Sequence, residues 1–156
     1  MSKRNRKVNT QPLWRFLFVV YGALMLWLLF FRSPGWIDGL SYREVLKHNI
    51  NLQPFYTIDN YVNVITKYPN SPYYTQCIIE LAGNVLMFIP AGWLLPRLFK
   101  PMRKFFPFLL TCLLSIVFVE SLQLFTLLGN FDVDDIILNL AGMLIGYILY
   151  ALTAKK

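Results

Sequence analysis

FFPFLLTCLLSIVFVESLQLFTLL, residues 105–128, decides how this chain folds. Its first 15 residues carry no charge, and the next is Glu120. As a helix at about 1.5 Å per residue it reaches roughly 36 Å, enough to cross a hydrocarbon core of about 30 Å. Irregular backbone is not tolerated facing lipid, so a segment this apolar and this long is expected to be a transmembrane helix.

Reading outward from it, the same pattern recurs on both sides. Upstream lies a basic cluster, Arg97, Lys100, Arg103 and Lys104, and before that a second apolar span, residues 78–99, containing Glu80 and Asn84. Downstream a span at residues 133–153 is polar at its start and apolar afterwards. Near the N-terminus, residues 13–31 form a further apolar run, interrupted only by Arg15. Basic residues precede this run as in a signal sequence. It is too long for a typical h-region and no small-x-small site follows, so it is expected to remain as an uncleaved anchor. Composition agrees with a membrane protein: 56% of the 156 residues are hydrophobic and 15% charged, against about 25% charged in soluble domains. A soluble chain this short lacks the interior to hide so many apolar side chains. The expected architecture is all-α, a single-domain four-helix transmembrane bundle, with an extracytoplasmic, partly membrane-lying loop at residues 32–77.

Orientation follows from the placement of Lys and Arg. With the N-terminus inside, the cytoplasmic side receives Lys3, Arg4, Arg6, Lys7, Arg15, the cluster from Arg97 to Lys104, and Lys155 and Lys156, which is 11 of the 15 basic residues. Both termini are therefore expected in the cytoplasm. The outer loop keeps Arg32, Arg43, Lys47 and Lys67. A net charge of +7 raises nucleic acid as a partner, but these charges flank apolar spans and form no stripe, so the expected partner is the lipid bilayer and not nucleic acid.

The outer loop offers a short surface helix at 41–49, an apolar and Pro-containing stretch NLQPFYTIDNY at 51–61, and a turn YPNSPYY at 68–74. Its aromatics, among them Trp36, Phe55, Tyr56, Tyr61 and Tyr68, suit an interfacial belt, so the loop is expected to lie against the membrane as a partial lid. His48 fits a solvent-facing position on the surface helix. Cys77 and Cys112 fall at different depths and are not expected to pair.

Polar residues inside spans are costly and mark function. Glu80 and Asn84 share a face at i, i+4; Glu120 and Gln123 share one at i, i+3; Asp132, Asp135 and Asn139 form a third stripe. Counted from the outer ends of their spans, Asn84, Glu120 and Asn139 reach roughly 9–12 Å deep. Three stripes at one depth satisfy one another only by facing a common interior, which predicts an outward-opening polar pocket formed by these seven residues. Gly142 and Gly146, a G-x-x-x-G in line with the Asp135/Asn139 stripe, predict close helix contact on that face. Pro90, Gly92 and Pro96 predict a kink or loosening in the inner half of the 78–99 span. Plainer readings stand beside these. Asp132, Asp134 and Asp135 also suit a helix N-terminus, and Asn84 and Asn139 also suit interhelical glue.

The chain carries no G-x-S-x-G, no H-E-x-x-H and no Cys–His pair, its two cysteines give no metal-ligand spacing, and no cofactor is expected. The pocket residues supply oxygen ligands that suit Ca²⁺ or Mg²⁺, acid/base work through Glu120, or partners for the hydroxyl and amide groups of a glycan or peptide, and their spacing does not choose among these.

At four segments the sequence resembles the VanZ-like family, membrane proteins associated with resistance to the glycopeptide teicoplanin. NLQPFYTIDNY (51–61) is similar to the family's N-L-x-P-F-x-T-I. GNVLMFIPAGWLLP (83–96) matches its G-N-x-x-x-F-x-P-x-G, Glu120 to Gln123 its E-x-x-Q, and FDVDDIILNLAGMLIGY (131–147) its F-D-x-D-D-x-x-x-N-x-x-G-x-x-x-G. The segments span about two-thirds of the chain in the family's order. Many members place an Arg just before F-D-x-D-D, where this chain has Gly129 and Asn130. The resemblance implies a cell-envelope protein linked to glycopeptide resistance, with a pocket for a lipid-linked, glycan or lipoglycopeptide ligand. The contrasting expectations are an intramembrane hydrolase or transferase using Glu120 and Asp135, and a structural partner whose stripes hold an oligomer together.

Overall fold

The computed structural model describes residues 10–30 and 39–154. Six α-helices account for most of them: α1 (Gln11–Phe30), α2 (Tyr42–His48), α3 (Tyr56–Lys67), α4 (Tyr74–Leu98), α5 (Phe105–Thr126) and α6 (Val133–Ala154). A 3-10 turn at Lys100–Arg103 joins α4 to α5, and two short strands, β1 (Ile50–Asn51) and β2 (Phe131–Asp132), pair in parallel. Helices α1, α4, α5 and α6 are long and apolar enough to cross a membrane. The protein is all-α in the sense the sequence implied, a bundle of membrane-length helices. The basic residues at 3–7, Arg32, Trp36, Asp38, Lys155 and Lys156 lie outside the described residues.

The exterior is apolar, as a lipid-facing surface must be. Phe16, Val19, Trp27, Leu86, Phe106, Leu114, Phe118 and Leu152 are each more than half exposed. The interior is a narrow core of Met25, Phe88, Ala91, Phe108, Cys112, Ile116 and Met143. Helices α4 and α6 make the most extensive contact in the bundle, and glycine is the reason. A Cβ at Gly142 would strike the Val85 carbonyl, one at Gly146 the Ile89 carbonyl, and one at Gly92 the Met143 carbonyl. Only hydrogen fits where two backbones approach this closely. Helix α1 is peripheral, with Met25 its one buried residue. The Tyr21 hydroxyl anchors it by donating to the Met87 carbonyl at 2.7 Å.

Several details depart from the sequence reading. Helix α4 begins at Tyr74, four residues before the expected 78, and runs as α-helix through Pro90 and Pro96 to Leu98 without interruption. The turn at 68–74 sets the early start: the Ser71 amide donates to the Tyr68 carbonyl and the Tyr74 amide to the Ser71 carbonyl. Residues 56–67, expected as part of an apolar stretch of the outer loop, form α3, with Ile58, Tyr61 and Ile65 at the helical spacing i, i+3, i+7 on its half-buried face. Its β-branched residues Thr57, Ile58, Val62, Val64, Ile65 and Thr66 lower its intrinsic propensity. The β1–β2 pairing was not foreseen either. It aligns Ile50 with Phe131 and Asn51 with Asp132, and the Phe131 amide donates to the Asn49 carbonyl at 2.8 Å. Cys77 and Cys112 are free, buried thiols on different helices, and His48 is exposed at the end of α2.

Candidate functional site

The β1–β2 pairing explains how the site is assembled. It fixes the segment from Asn51 to Tyr61 against the start of α6, and Asp134 makes the junction. Asp134 is fully buried. Its carboxylate accepts from the backbone amides of Phe55, Thr57 and Ile58, the last two at 2.8 and 3.0 Å. These are amides that the first turn of α3 leaves without intrahelical partners, and a negative charge there meets the positive end of the helix. Phe55 holds a left-handed backbone, φ +66°, which turns its amide toward the same carboxylate. Asp132 completes the clamp. One of its oxygens accepts from the Thr57 hydroxyl at 2.6 Å and the Asn51 side-chain amide at 3.2 Å, and the other caps α6 through the Asp134 amide at 2.8 Å.

Beneath this clamp lies a cavity of about 320 Å³. All seven residues singled out from the sequence line it: Glu80 and Asn84 from α4, Glu120 and Gln123 from α5, and Asp132, Asp135 and Asn139 from β2 and α6. The helix ends meeting there are the last turns of α1 and α5 and the first turns of α4 and α6, since Leu28, Leu29, Gln76, Leu128 and Asn130 also contribute to the wall. Asn84 lies ten residues beyond Tyr74, roughly 15 Å into the helix and deeper than the expected span boundaries implied.

The individual pairings differ in an informative way. Asn84 donates its side-chain amide to Asp135, joining α4 to α6. Gln123 donates to the Leu29 carbonyl at 2.7 Å, which ties α5 to the last turn of α1. Glu120 and Asn139 are 3% and 2% exposed, yet Glu120 Oε2 and Asn139 Oδ1 have no hydrogen-bond partner among the described residues. Buried polar atoms are paired in the great majority of cases, and these two exceptions line one cavity. Tyr61 brings a phenol into the wall. Burial first, and then the charges of Glu80 and Asp135, raise its pKa above the usual tyrosine value, so it remains a neutral hydroxyl and a donor. The described residues contain no group of three His, Cys, Asp or Glu disposed to hold a metal ion.

The sequence reading missed Thr57, Tyr61, Gln76, Met87 and Asn130 as cavity residues, and gave Asp134 only a capping role. A signal existed for some of them. Gln76, Glu80, Asn84 and Met87 are spaced i, i+4, i+8, i+11, one helical face, visible once α4 is started at Tyr74. Asp134 is different, because its partners lie more than 70 residues away and no local spacing reports them.

A family model described as VanZ/LLP1 matches residues 18–154. A protein of Enterococcus faecium, Protein VanZ, is 30% identical over 141 residues, which cover 90% of this chain and 75% of that protein. No solved structure matches.

Proposed function

This chain belongs to the VanZ/LLP1 family, a multi-pass membrane protein with four candidate spans, and from that premise we propose that its cavity binds the polar part of a lipid-linked or glycan ligand of the cell envelope. In this reading both termini are cytoplasmic and the cavity faces outward, as the distribution of basic residues favours. The observation that carries the proposal is the pair of buried, unpartnered acceptors, Glu120 Oε2 and Asn139 Oδ1, in the cavity wall.

Size narrows the ligand. Pockets for small molecules run from about 300 to 1,000 Å³, and 320 Å³ lies at the lower bound. One sugar ring or one headgroup fits, and a whole glycopeptide does not. A link to teicoplanin resistance, which the family resemblance implies, would then act through an envelope component held in the cavity and not through enclosure of the drug.

Mass spectrometry of lipids and glycans retained by gently purified protein tests the reading. The wild type should retain a defined species, and a Glu120→Met/Asn139→Leu double variant that still inserts and stays monodisperse should lose it. The same species on both proteins would overturn the proposal. A second reading, an intramembrane hydrolase or transferase, draws support from the unequal state of the two candidate acids. Asp135 is held by Asn84 while Glu120 keeps an open oxygen, a difference suited to separate roles in acid/base chemistry. Under it, Glu120→Gln abolishes turnover of an envelope lipid while the lipid is still retained.

A further inference from the structure

We infer that the group seated in the cavity is a primary ammonium, carried by an envelope lipid or glycan; the inference rests on the binding reading above and specifies its chemistry. The two orphan atoms are a carboxyl oxygen and an amide oxygen. The amide oxygen only accepts, and the carboxyl oxygen accepts once ionised, the state that a cation beside it favours, so a cationic donor satisfies both. The rest of the wall selects among donors. Glu80, Glu120, Asp132 and Asp135 all line the cavity, and among the described residues no Lys, Arg or His does. A phosphate or carboxylate would meet like charge there.

A hydroxyl brings one donor but also lone pairs of its own, which face further acceptors. An ammonium brings three donors, no acceptor and the compensating charge. Two of the four carboxyl groups already hold protein donors: Asp135 takes Asn84, and Asp132 takes Thr57 and Asn51. Glu120 is the one with an oxygen known to be open. It is therefore the expected counter-ion, with Asn139 Oδ1 as a second contact. Leu28, Leu29 and Met87 give an apolar stretch of wall for the carbons next to the nitrogen.

The test uses full-length protein in nanodiscs and two pairs of probes: glucosaminyl-diacylglycerol and lysyl-phosphatidylglycerol, each beside its fully N-acetylated counterpart. Acetylation removes the charge and leaves the rest of the lipid in place, so the comparison does not depend on any variant folding. In one pair the amine should bind at least about tenfold more tightly than its acetylated form, the value of one charge-assisted hydrogen bond. That pair identifies the carrier, and Glu120→Gln should erase the preference. Equal binding of amine and acetylated forms, lost in Asn139→Leu, overturns the ammonium and leaves the binding cavity standing. Absence of binding by either pair, or binding indifferent to both Glu120→Gln and Asn139→Leu, overturns the two together.

Discussion

The two halves of this bundle are built from the same four helices and solve opposite problems. In one half Gly92, Gly142 and Gly146 bring α4 and α6 into backbone contact, and Phe88, Phe108, Cys112, Ile116 and Met143 fill what remains. Among the described residues, no buried polar side-chain atom at that end lacks a partner. The Arg97 guanidinium lies 3.6 Å from the Trp93 ring centroid and donates to Thr153, while Arg103 donates to the Pro96 carbonyl and accepts, through its own carbonyl, from Tyr147. In the other half the same face of α6 presents Asp135 and Asn139, the space is left open, and two buried acceptors are left unpaired. A single stripe, Asp135, Asn139, Gly142, Gly146, thus changes from cavity wall to packing seam within three turns. The contrast teaches that one helix pair, α4 and α6, is joined in two ways: by backbone contact at the glycines and by the Asn84–Asp135 hydrogen bond in the cavity wall.

The largest effect should come from breaking the seam. Gly146→Leu drives a side chain into the Ile89 carbonyl, backbone that cannot swing aside. Overpacking usually costs about 1–3 kcal/mol, and here the upper figure or more is expected, seen as loss of monodisperse protein and a large fall in melting temperature. Gly83→Ala is the matched contrast. Nothing lies within 4 Å of its added Cβ, so stability should hold or rise by up to about 1 kcal/mol from helix propensity. Equal damage from both substitutions would dissolve the distinction between the halves.

Next in size is the clamp above the cavity. Asp134→Ala leaves three backbone amides of the α3 start without their acceptor and should cost about 3 kcal/mol. Hydrogen exchange should localise the loss to residues 55–61, with the seam still protected. Protection unchanged at 55–61 would show that α3 is held by other means.

How much of this was open to sequence reasoning divides along the same lines. The spans were legible because lipid imposes a requirement on every residue of a long segment, and hydropathy sums over it. The seven cavity residues were legible because a polar side chain in such a segment needs a polar neighbour, so Asn84, Glu120 and Asn139 announced one another by depth. The Gly142/Gly146 seam was legible from its alignment with that stripe, though its partner carbonyls at Val85 and Ile89 were not. The clamp was hidden. Asp134, Thr57 and Asn51 meet through a two-residue strand pairing 81 positions apart, too short to leave a periodicity. Helix α3 was legible in part: Ile58, Tyr61 and Ile65 have the helical spacing i, i+3, i+7, but its β-branched residues lower its propensity, and Asp134, which meets its first amides, lies more than 70 residues away. Helix α4 runs from Tyr74 to Leu98 with Pro90 and Pro96 inside it, so these prolines do not end the helix.

A smaller effect, of unusual sign, is expected inside the cavity. Glu120→Leu removes an orphan acceptor and fills part of the void, so it should stabilise the purified protein by up to about 1 kcal/mol while abolishing ligand retention. Destabilisation of several kcal/mol instead would mean that Glu120 is a structural member of the bundle, and the contrast between the halves would lose its functional meaning.

The smallest effect lies outside the bundle, in α2, where Glu44 accepts from the Ser41 amide at 2.8 Å and its hydroxyl at 2.6 Å. These bonds hold the Glu44 carboxyl below its ordinary value of 4.5. A depressed pKa contributes stability that is fully present above the unfolded value and is lost as pH falls through the folded one. Exchange protection of the α2 amides should therefore be flat above pH 4.5 and decline below it, and Glu44→Gln should flatten the profile by removing the titrating group. Because Glu44 is exposed to solvent, the change belongs to α2 alone and should leave the melting temperature where it was. A matching decline in the cavity or the seam would mean that α2 is coupled to the bundle, and that its hydrogen bond from Tyr42 to the Phe125 carbonyl, 2.9 Å, transmits more than local order.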